Sequence, residues 1–246
     1  MTALSSTSNV DPEHQRWGLP DALVGWIVAN ISAGLLGVLL VSAFGYSTDS
    51  ESLKNLPITM VALQFPPLWI GFIGVPVLVA AVKGTGWIRD FRVRFRLRDV
   101  PVGLASGVAA QLILVPLLSL PILWLTNTDM DKLSEPARQL GDKADSPLGV
   151  FLLFAAVAVG APIAEEIFFR GLLLRSFEKR FGTAVAVVAS SVVFGATHFQ
   201  ALQFAALTGA GLVFALLTVR YDRLGPAIFA HMAFNGLTVA SLVGWL

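Results

Sequence analysis

Long apolar runs, separated by short polar segments, are the feature that most constrains how this chain folds. The first run, Ala22–Phe44, has 23 residues and no charge, which is long enough to cross roughly 30 Å of hydrocarbon as a helix. Over the whole chain 55% of the residues are hydrophobic and 13% are charged, whereas an average soluble domain has about 25% charged residues. We therefore predict an all-α protein, a polytopic bundle of transmembrane helices.

Seven apolar runs are predicted to span the membrane, and a re-entrant or broken segment would change this count by one, to eight. In chain order the runs are Ala22–Phe44, Pro57–Val82, Pro101–Leu125, Leu148–Arg180, Thr183–Phe199, Ala201–Val219 and Pro226–Leu246. Three prolines, Pro66, Pro67 and Pro76, predict that the second helix is kinked or broken. The chain divides into a polar N-terminal tail (1–20), N-terminal transmembrane helices (21–147) and a C-terminal core (148–246).

Lysine and arginine are distributed unevenly over the segments between these runs. If the N-terminus faces the cytoplasm, 12 of them lie on the cytoplasmic side, 4 lie on the other side and Arg170 lies within the membrane. Because cytoplasmic segments are usually the more basic, we predict this orientation, and the compact length is typical of a prokaryotic plasma-membrane protein. The most basic segment, Lys83–Asp99, is predicted to bind anionic lipid, and docking of a peptide is the alternative.

Two features of the composition exclude classes of function. The net charge is +1, so no global basic field indicates nucleic acid as a partner. The chain has no cysteine, which excludes disulfides and thiolate metal sites. The lipid bilayer is the expected partner, and the sequence indicates no oligomeric state.

The stretch Ala161–Arg175, APIAEEIFFRGLLLR, places ionisable side chains inside an apolar helix. A charge at bilayer depth costs roughly 3 kcal/mol on insertion scales, so such residues usually face a protein interior or a wet cavity and have a function there. Glu166 and Arg170 are four residues apart, which predicts a pair on one helix face.

Two further motifs lie in apolar segments. The helix that carries Glu165 is predicted to turn back at Phe181–Gly182 into the helix that carries His198. At 1.5 Å per residue, both side chains lie roughly 25 Å along their helices from the turn, so we expect them to meet across the hairpin. His231 and Asn235 are four residues apart on the last predicted helix.

These residue types suit two kinds of hydrolytic chemistry, and the residues alone do not choose between them. Glu165 beside an imidazole is a general base for water, while a second imidazole and an amide donate hydrogen bonds to a developing oxyanion. Alternatively, Glu165, His198 and His231 are side chains of the type that holds zinc with a position open for water. Structural roles are the alternative: the Glu166–Arg170 pair would brace its helix, and Asn235 would join helices by a hydrogen bond.

The three motifs, in this order, resemble those of the CPBP family. This family of CAAX-protease and bacteriocin-processing (Abi) membrane proteins includes the type II CAAX prenyl endopeptidases, and its pattern is EExxxR, then FxxxH, then HxxxN. The matching residues here are Glu165, Glu166, Arg170, Phe194, His198, His231 and Asn235. The resemblance covers about Leu148–Leu246, and residues 1–147 carry no matching motif.

The resemblance implies an endopeptidase that hydrolyses a peptide bond within or near the membrane. Glu165 and His198 would activate water. His231 and Asn235 would form the oxyanion site, and the other two charged residues of the first motif would shape the site. The implied substrate is a peptide or a lipidated protein, and both a zinc metalloprotease and a metal-free glutamate protease stay open.

Two alternative functions do not involve hydrolysis. The first is a membrane scaffold or partner-stabilising subunit that retains the family core. The second is a small proton-coupled transporter, since Glu and His also form proton relays in membranes. The complete motif set favours the protease over the scaffold, because a scaffold does not require both histidines.

Overall fold

The computed structural model describes residues 16–246, and this part of the chain contains helices and no strands. We number its helices, with bounds, as α1 (Leu19–Ala43), α2 (Ser50–Lys54), α3 (Ile58–Lys83), α4 (Trp87–Asp90), α5 (Asp99–Thr126), α6 (Met130–Gly141), α7 (Pro147–Phe181), α8 (Thr183–Thr197), α9 (Phe204–Tyr221) and α10 (Gly225–Leu242). The prediction of an all-α, polytopic helical bundle is confirmed.

Five of the helices in the described range are long and apolar enough to cross a membrane, namely α1, α3, α5, α7 and α9. The other two predicted spans are also helical. α8 is apolar but has 15 residues, and α10 has 18 residues and carries His231 and Asn235, whose polarity lowers its hydropathy. By length and composition, five of the seven predicted spans therefore qualify as membrane-crossing helices.

Three of the long helices contain a π-helical segment shortly before a proline. The segments are Ile70–Gly74 in α3, Ala110–Leu114 in α5 and Phe154–Gly160 in α7, followed by Pro76, Pro116 and Pro162. Proline has no N–H and its ring clashes with the carbonyl four residues earlier, and a π turn is one way for a helix to absorb that conflict. The predicted break in the second span is confirmed, since α3 is also interrupted at Gln64.

α7 lies at the centre of the bundle and carries the charged motif. Its second π-helical segment, Ile167–Leu173, is buried over its whole length. Phe168 in this segment stacks on Phe72 of α3, with ring centroids 4.9 Å apart. The segment begins directly after Glu166 and contains Arg170, so the motif lies on the kind of irregular helical backbone that is frequent at functional sites.

Two glycines allow α5 to approach α10 closely. A Cβ atom at Gly107 would lie 2.0 Å from the Ala230 carbonyl oxygen, and one at Gly103 would lie 2.5 Å from the Phe229 Cβ. No larger side chain fits at such distances, so direct backbone contact between the two helices fixes the position of α10 and of the motif it carries.

The segment between α5 and α7, which is polar in the sequence, contains the helix α6. Asp129 caps α6 by accepting a hydrogen bond from the Lys132 N–H at 2.9 Å. Leu133 is buried and Leu140 is partly buried against the bundle. The few apolar residues of this polar segment recur at helical spacing, and this signal outweighs its low overall hydrophobicity.

The end of the predicted N-terminal tail also belongs to the fold. Trp17 is 3% exposed, and its Nε1 donates a hydrogen bond to Asp90 at 3.1 Å. The rest of the predicted tail, residues 1–15, lies outside the described residues.

α7 and α8 form the predicted hairpin. Gly182 separates them with φ of 80°, a left-handed conformation that glycine adopts without steric cost. The two helices that bear the first and second motifs therefore run antiparallel, as the sequence predicts.

The basic segment before α5 is attached to the start of α10. The Leu224 N–H donates to the Arg92 carbonyl oxygen at 3.2 Å, and the Arg223 Nε lies 3.0 Å from both carboxylate oxygens of Asp99. Hydrogen bonding to Asp99 raises the pKa of Arg223 above its ordinary value. Residues 94–98 of the segment are exposed, and their predicted binding of lipid or peptide stays a prediction.

Candidate active site

Glu166, Arg170 and His231 form a buried network between α7 and α10. Arg170 Nη1 donates to Glu166 Oε1 at 2.8 Å, which confirms the pair predicted from their spacing. His231 Nδ1 lies 2.9 Å from the same carboxylate oxygen. Glu166 and Arg170 are 0% exposed and His231 is 3% exposed. Hydrogen bonds between charged groups are strong in such a setting.

Arg170 also connects α7 to α8 and α9. Its Nη2 donates to the Gly211 carbonyl oxygen at 3.0 Å. Its Cζ lies 4.5 Å from the ring centroid of Phe194 and 5.3 Å from that of Phe214. The guanidinium therefore gains cation–π attraction from two rings in addition to its carboxylate partner, and these contacts together compensate for burying the charge.

The bond to Glu166 fixes the orientation of His231. Because a carboxylate only accepts, Nδ1 carries the hydrogen, and Nε2 faces Glu165 Oε2 at 3.8 Å. The Phe214 ring stacks on the imidazole with centroids 4.7 Å apart and an interplanar angle of 22°. A separation of 3.8 Å is too long for a direct hydrogen bond, and one bridging oxygen atom would contact both groups.

Glu165 and Glu166 are adjacent in the chain but lie in different environments. The Glu165 side chain is 13% exposed, whereas that of Glu166 is 0% exposed. Arg170 and His231 engage Oε1 of Glu166. Oε2 of both glutamates has no hydrogen-bond partner within residues 16–246, so the two carboxylates differ in their exposure and in the bonds to Oε1. Glu165 is therefore the carboxylate that is available to a substrate or to water.

His198 follows the last residue of α8 and is partly exposed. Its Nδ1 lies 2.9 Å from the Phe194 carbonyl oxygen, so Nδ1 donates and Nε2 is left as an acceptor. The Phe194 ring contacts both imidazoles, at centroid distances of 5.0 Å to His198 and 5.6 Å to His231. In the described part of the chain no hydrogen bond or ion pair joins Glu165 to His198. Glu165 faces His231 instead, because close packing on α5 holds α10 against α7.

Asn235 lies one helical turn after His231 on α10. Its Nδ2 donates to the Val157 carbonyl oxygen of α7 at 2.9 Å. Val157 belongs to the π-helical segment before Pro162, where the proline leaves helical hydrogen bonds incomplete. The amide therefore joins the two helices, which is the structural role that the sequence also allows for Asn235. One N–H and the carbonyl oxygen of its side chain stay available.

The side chains of the zinc alternative are not gathered into one cluster. Among the residues that the structure describes, no group of three or more His, Asp or Glu side chains is placed to hold a metal ion. Glu165 and His231 face each other, but His198 is linked to them only through Phe194. The donor set as arranged here does not fit a metal centre, and binding of zinc by Glu165, His198 and His231 stays a prediction.

Three residues of the site carry no signal in the sequence. Phe214 and Gly211 lie in the apolar helix α9, where they cannot be told from packing residues, and Val157 contributes only its backbone. Their roles depend on how the helices are rotated against one another, and the motif spacing within a single helix does not determine that rotation.

A known protein family matches the part of the chain that carries the candidate site. Residues 147–237 match the family model described as "Type II CAAX prenyl endopeptidase Rce1-like". This part of the chain is similar to the CPBP family. The matched CPBP region begins at the start of α7 and includes all three motifs, and the family resemblance stated from the sequence is confirmed.

A curated relative extends the similarity beyond the CPBP region. The chain is 26% identical over 219 residues to "Putative membrane peptidase YdiL" of Bacillus subtilis (strain 168), an alignment that covers 88% of this chain and 86% of the relative. No solved structure matches the chain. Both matches are described as peptidases, and together with the five long apolar helices they indicate an integral membrane protein.

Proposed function

We propose that this CPBP protein is an intramembrane endopeptidase that hydrolyses a peptide bond near or within the membrane. The observation that carries the proposal is the arrangement of Glu165, His231 and Glu166. Glu165 faces one nitrogen of the imidazole at 3.8 Å, and Glu166 is bonded to the other at 2.9 Å. A carboxylate, a ring nitrogen and an acceptor that orients the ring are parts from which a hydrolytic site is built.

Glu165 is the proposed general base. Its unpartnered Oε2 removes a proton from water while the water oxygen attacks the carbonyl carbon of the peptide bond, and the carbonyl electrons move onto the oxygen. The protonated Glu165 then gives the proton to the leaving nitrogen as the C–N bond breaks. A positioned base of this kind contributes roughly 100- to 10,000-fold to the rate.

His231 and Asn235 are the proposed oxyanion site. With Nδ1 bonded to the Glu166 carboxylate, His231 in its protonated form directs its second N–H toward the space beside Glu165. The remaining N–H of Asn235 is the second donor. Donors that are already oriented cost no rearrangement when the charge develops, and one such donor is worth roughly 100- to 1,000-fold in rate.

His198 is proposed to act with Glu165 on the water. Its Nδ1 is held by the Phe194 carbonyl oxygen, so Nε2 is the nitrogen that accepts or returns a proton. Glu166 and Arg170 are proposed as positioning residues. Glu166 bonds the imidazole of His231, and Arg170 bonds Glu166 and the Gly211 carbonyl oxygen of α9.

Zinc is the competing account of the same residues, and metal analysis distinguishes the two. Stoichiometric zinc in the purified protein, lost in a Glu165→Ala, His198→Ala double variant, would make these side chains ligands. An active preparation without metal would leave Glu165 as the base.

The substrate class is proposed from the comparisons. Since the matching family model is named for prenyl endopeptidases, the first substrate to test is a membrane peptide with a farnesylated C-terminal cysteine motif. The same peptide without the lipid is its control, and a preference between the two would show whether the lipid is recognised.

The proposal is tested with wild type and variants reconstituted in liposomes with a quenched fluorescent peptide. We expect Glu165→Gln to lose at least about 100-fold in rate and His198→Ala to lose activity as well. Glu178→Gln is the matched control, because Glu178 lies on the same helix but bonds Arg175 and Thr183 away from the site. Unchanged cleavage by both site variants would contradict the proposal.

A further inference from the structure

An apolar groove lies between α1 and the α7–α8 hairpin, apart from the candidate active site. Its volume is about 630 Å³. Leu19 and Leu23 of α1 form one wall, Phe177 of α7 and Val193 of α8 form the other, and Arg180 is the one charged residue among those that line it.

The groove extends from the buried Phe168 to Arg180 in the last turn of α7. Trp26 of α1 also lines it and donates its Nε1 hydrogen to Thr197 Oγ1 of α8 at 3.0 Å. Phe168 and Arg180 both line the groove and lie 12 residues apart, which is about 18 Å along a helix. One leaflet of the hydrocarbon core is about 15 Å thick, so the groove has the length of a single acyl chain.

Arg180 has no carboxylate partner within residues 16–246, and its guanidinium lies 5.5 Å from the ring centroid of the neighbouring Phe181. The adjacent Lys179 is engaged differently, by the Trp17 carbonyl oxygen at 3.3 Å and the Trp17 ring. Arg180 is exposed and lies on the face for which the basic residues predict a cytoplasmic position. The cytoplasmic leaflet is the one that carries anionic lipids.

We propose that this groove binds one anionic phospholipid of the bilayer. An acyl chain lies between α1 and α8, and the phosphate pairs with the Arg180 guanidinium, which matches phosphate with two parallel N–H donors. The bound lipid fills the wedge between α1 and the hairpin and so holds α1 against the rest of the bundle. This proposal does not depend on peptidase activity.

The role of the Arg180 charge is tested by lipid titration of the delipidated, detergent-solubilised full chain, with bound phosphatidylglycerol counted by native mass spectrometry. We expect Arg180→Gln to weaken binding about fivefold. The matched control is Arg220→Gln, because Arg220 also lies in the last turn of an apolar helix, is exposed and contacts the following aromatic ring, at 5.7 Å. Equal effects of the two variants, or none from Arg180→Gln, would overturn the proposal.

The groove itself is tested by filling it. Leu23→Trp places a larger side chain in the groove, and we expect it to lower binding of phosphatidylglycerol at least threefold. Ile31→Trp is the control on the same helix, since Leu23 and Ile31 are 60% and 61% exposed but only Leu23 lines the groove. Phosphatidylcholine serves as the second lipid, and we expect it to bind less tightly and to be indifferent to Arg180→Gln. If Leu23→Trp leaves the binding of phosphatidylglycerol unchanged, the lipid binds elsewhere and the proposal is overturned.

Discussion

His231 is the residue at which the contacts of the candidate site converge. One ring nitrogen is bonded to Glu166, the other faces Glu165, and the ring stacks on Phe214. Three helices therefore fix one imidazole, and they hold it in position before a substrate binds. Rigidly supported groups of this kind are what catalysis by preorganised dipoles requires.

The buried charges predict an asymmetric response to mutation. Arg170→Met leaves the Glu166 carboxylate buried without its cation, and we expect a loss of about 3–5 kcal/mol in stability. The double variant Glu166→Gln, Arg170→Met removes both charges and should recover most of that loss. Thermal unfolding in detergent measures both.

The control for this pair is Arg138→Met on α6. Arg138 pairs with Asp131 and Glu135 at the surface, and exposed pairs contribute about 0–1 kcal/mol. A double variant as unstable as Arg170→Met alone would show that packing of the side chains, rather than the unpaired charge, explains the loss.

At this scale the sequence determines contacts within a helix but not contacts between helices. The spacing of Glu166 and Arg170 predicts their pair, because residues four apart share a helix face. The approach of Glu165 to His231 rather than to His198 depends on the rotation of α10. That rotation is set by the contacts of Gly103 and Gly107, and these glycines belong to no motif.

Among the elements, α5 and α10 make the backbone contact on which the site depends most. We predict that Gly107→Leu destabilises the protein by about 1–3 kcal/mol and lowers peptidase activity about 100-fold, because it displaces α10 and with it His231. Unfolding temperature and cleavage rate are measured on the same preparation.

Gly34→Leu provides the comparison, since a Cβ atom at Gly34 would meet nothing within 4 Å. It should behave like wild type in both measurements. If Gly107→Leu kept full activity, the position of α10 would not matter to the chemistry, and the oxyanion role given to its residues would have to be withdrawn.

The helices also show how far proline patterns predict backbone shape. The three prolines of the second span predict its break. Pro116 and Pro162 each follow a π-helical segment in the same way as Pro76, yet a single proline in a long apolar run does not show whether the helix kinks, stops or shifts to π geometry. The neighbouring helices decide between these outcomes by satisfying the freed carbonyl groups, as Asn235 does for Val157.

For the whole molecule, the apolar runs predict the helices well, whereas the number of membrane crossings is harder to derive. α8 has only 15 residues, and α10 carries the polar site residues His231 and Asn235, so the hydropathy signal on which the count depends is weak at both helices. The amphipathic α6 was hidden in a polar segment for a related reason, since only one of its faces is apolar.

The orientation of the chain can be tested directly because it contains no cysteine. We predict that a single cysteine at Leu97, a residue that is 93% exposed, reacts with a membrane-impermeant maleimide only from the cytoplasmic side. A cysteine at Ser47 should react only from the opposite side. Labelling of intact cells and of inverted vesicles gives both readings, and labelling of the two positions from the same side would contradict the predicted topology.

The central claim is that Glu165 acts as the general base and His231 as an oxyanion donor in peptide hydrolysis. The most direct measurement is the cleavage rate of wild type, Glu165→Gln, His231→Gln and the double variant in one liposome preparation. We predict that each single variant loses at least about 100-fold and that the double variant is slower than either, since a base and an oxyanion donor contribute separately to the rate. A wild-type rate in either single variant, or a double variant no slower than the slower single variant, would contradict these two roles.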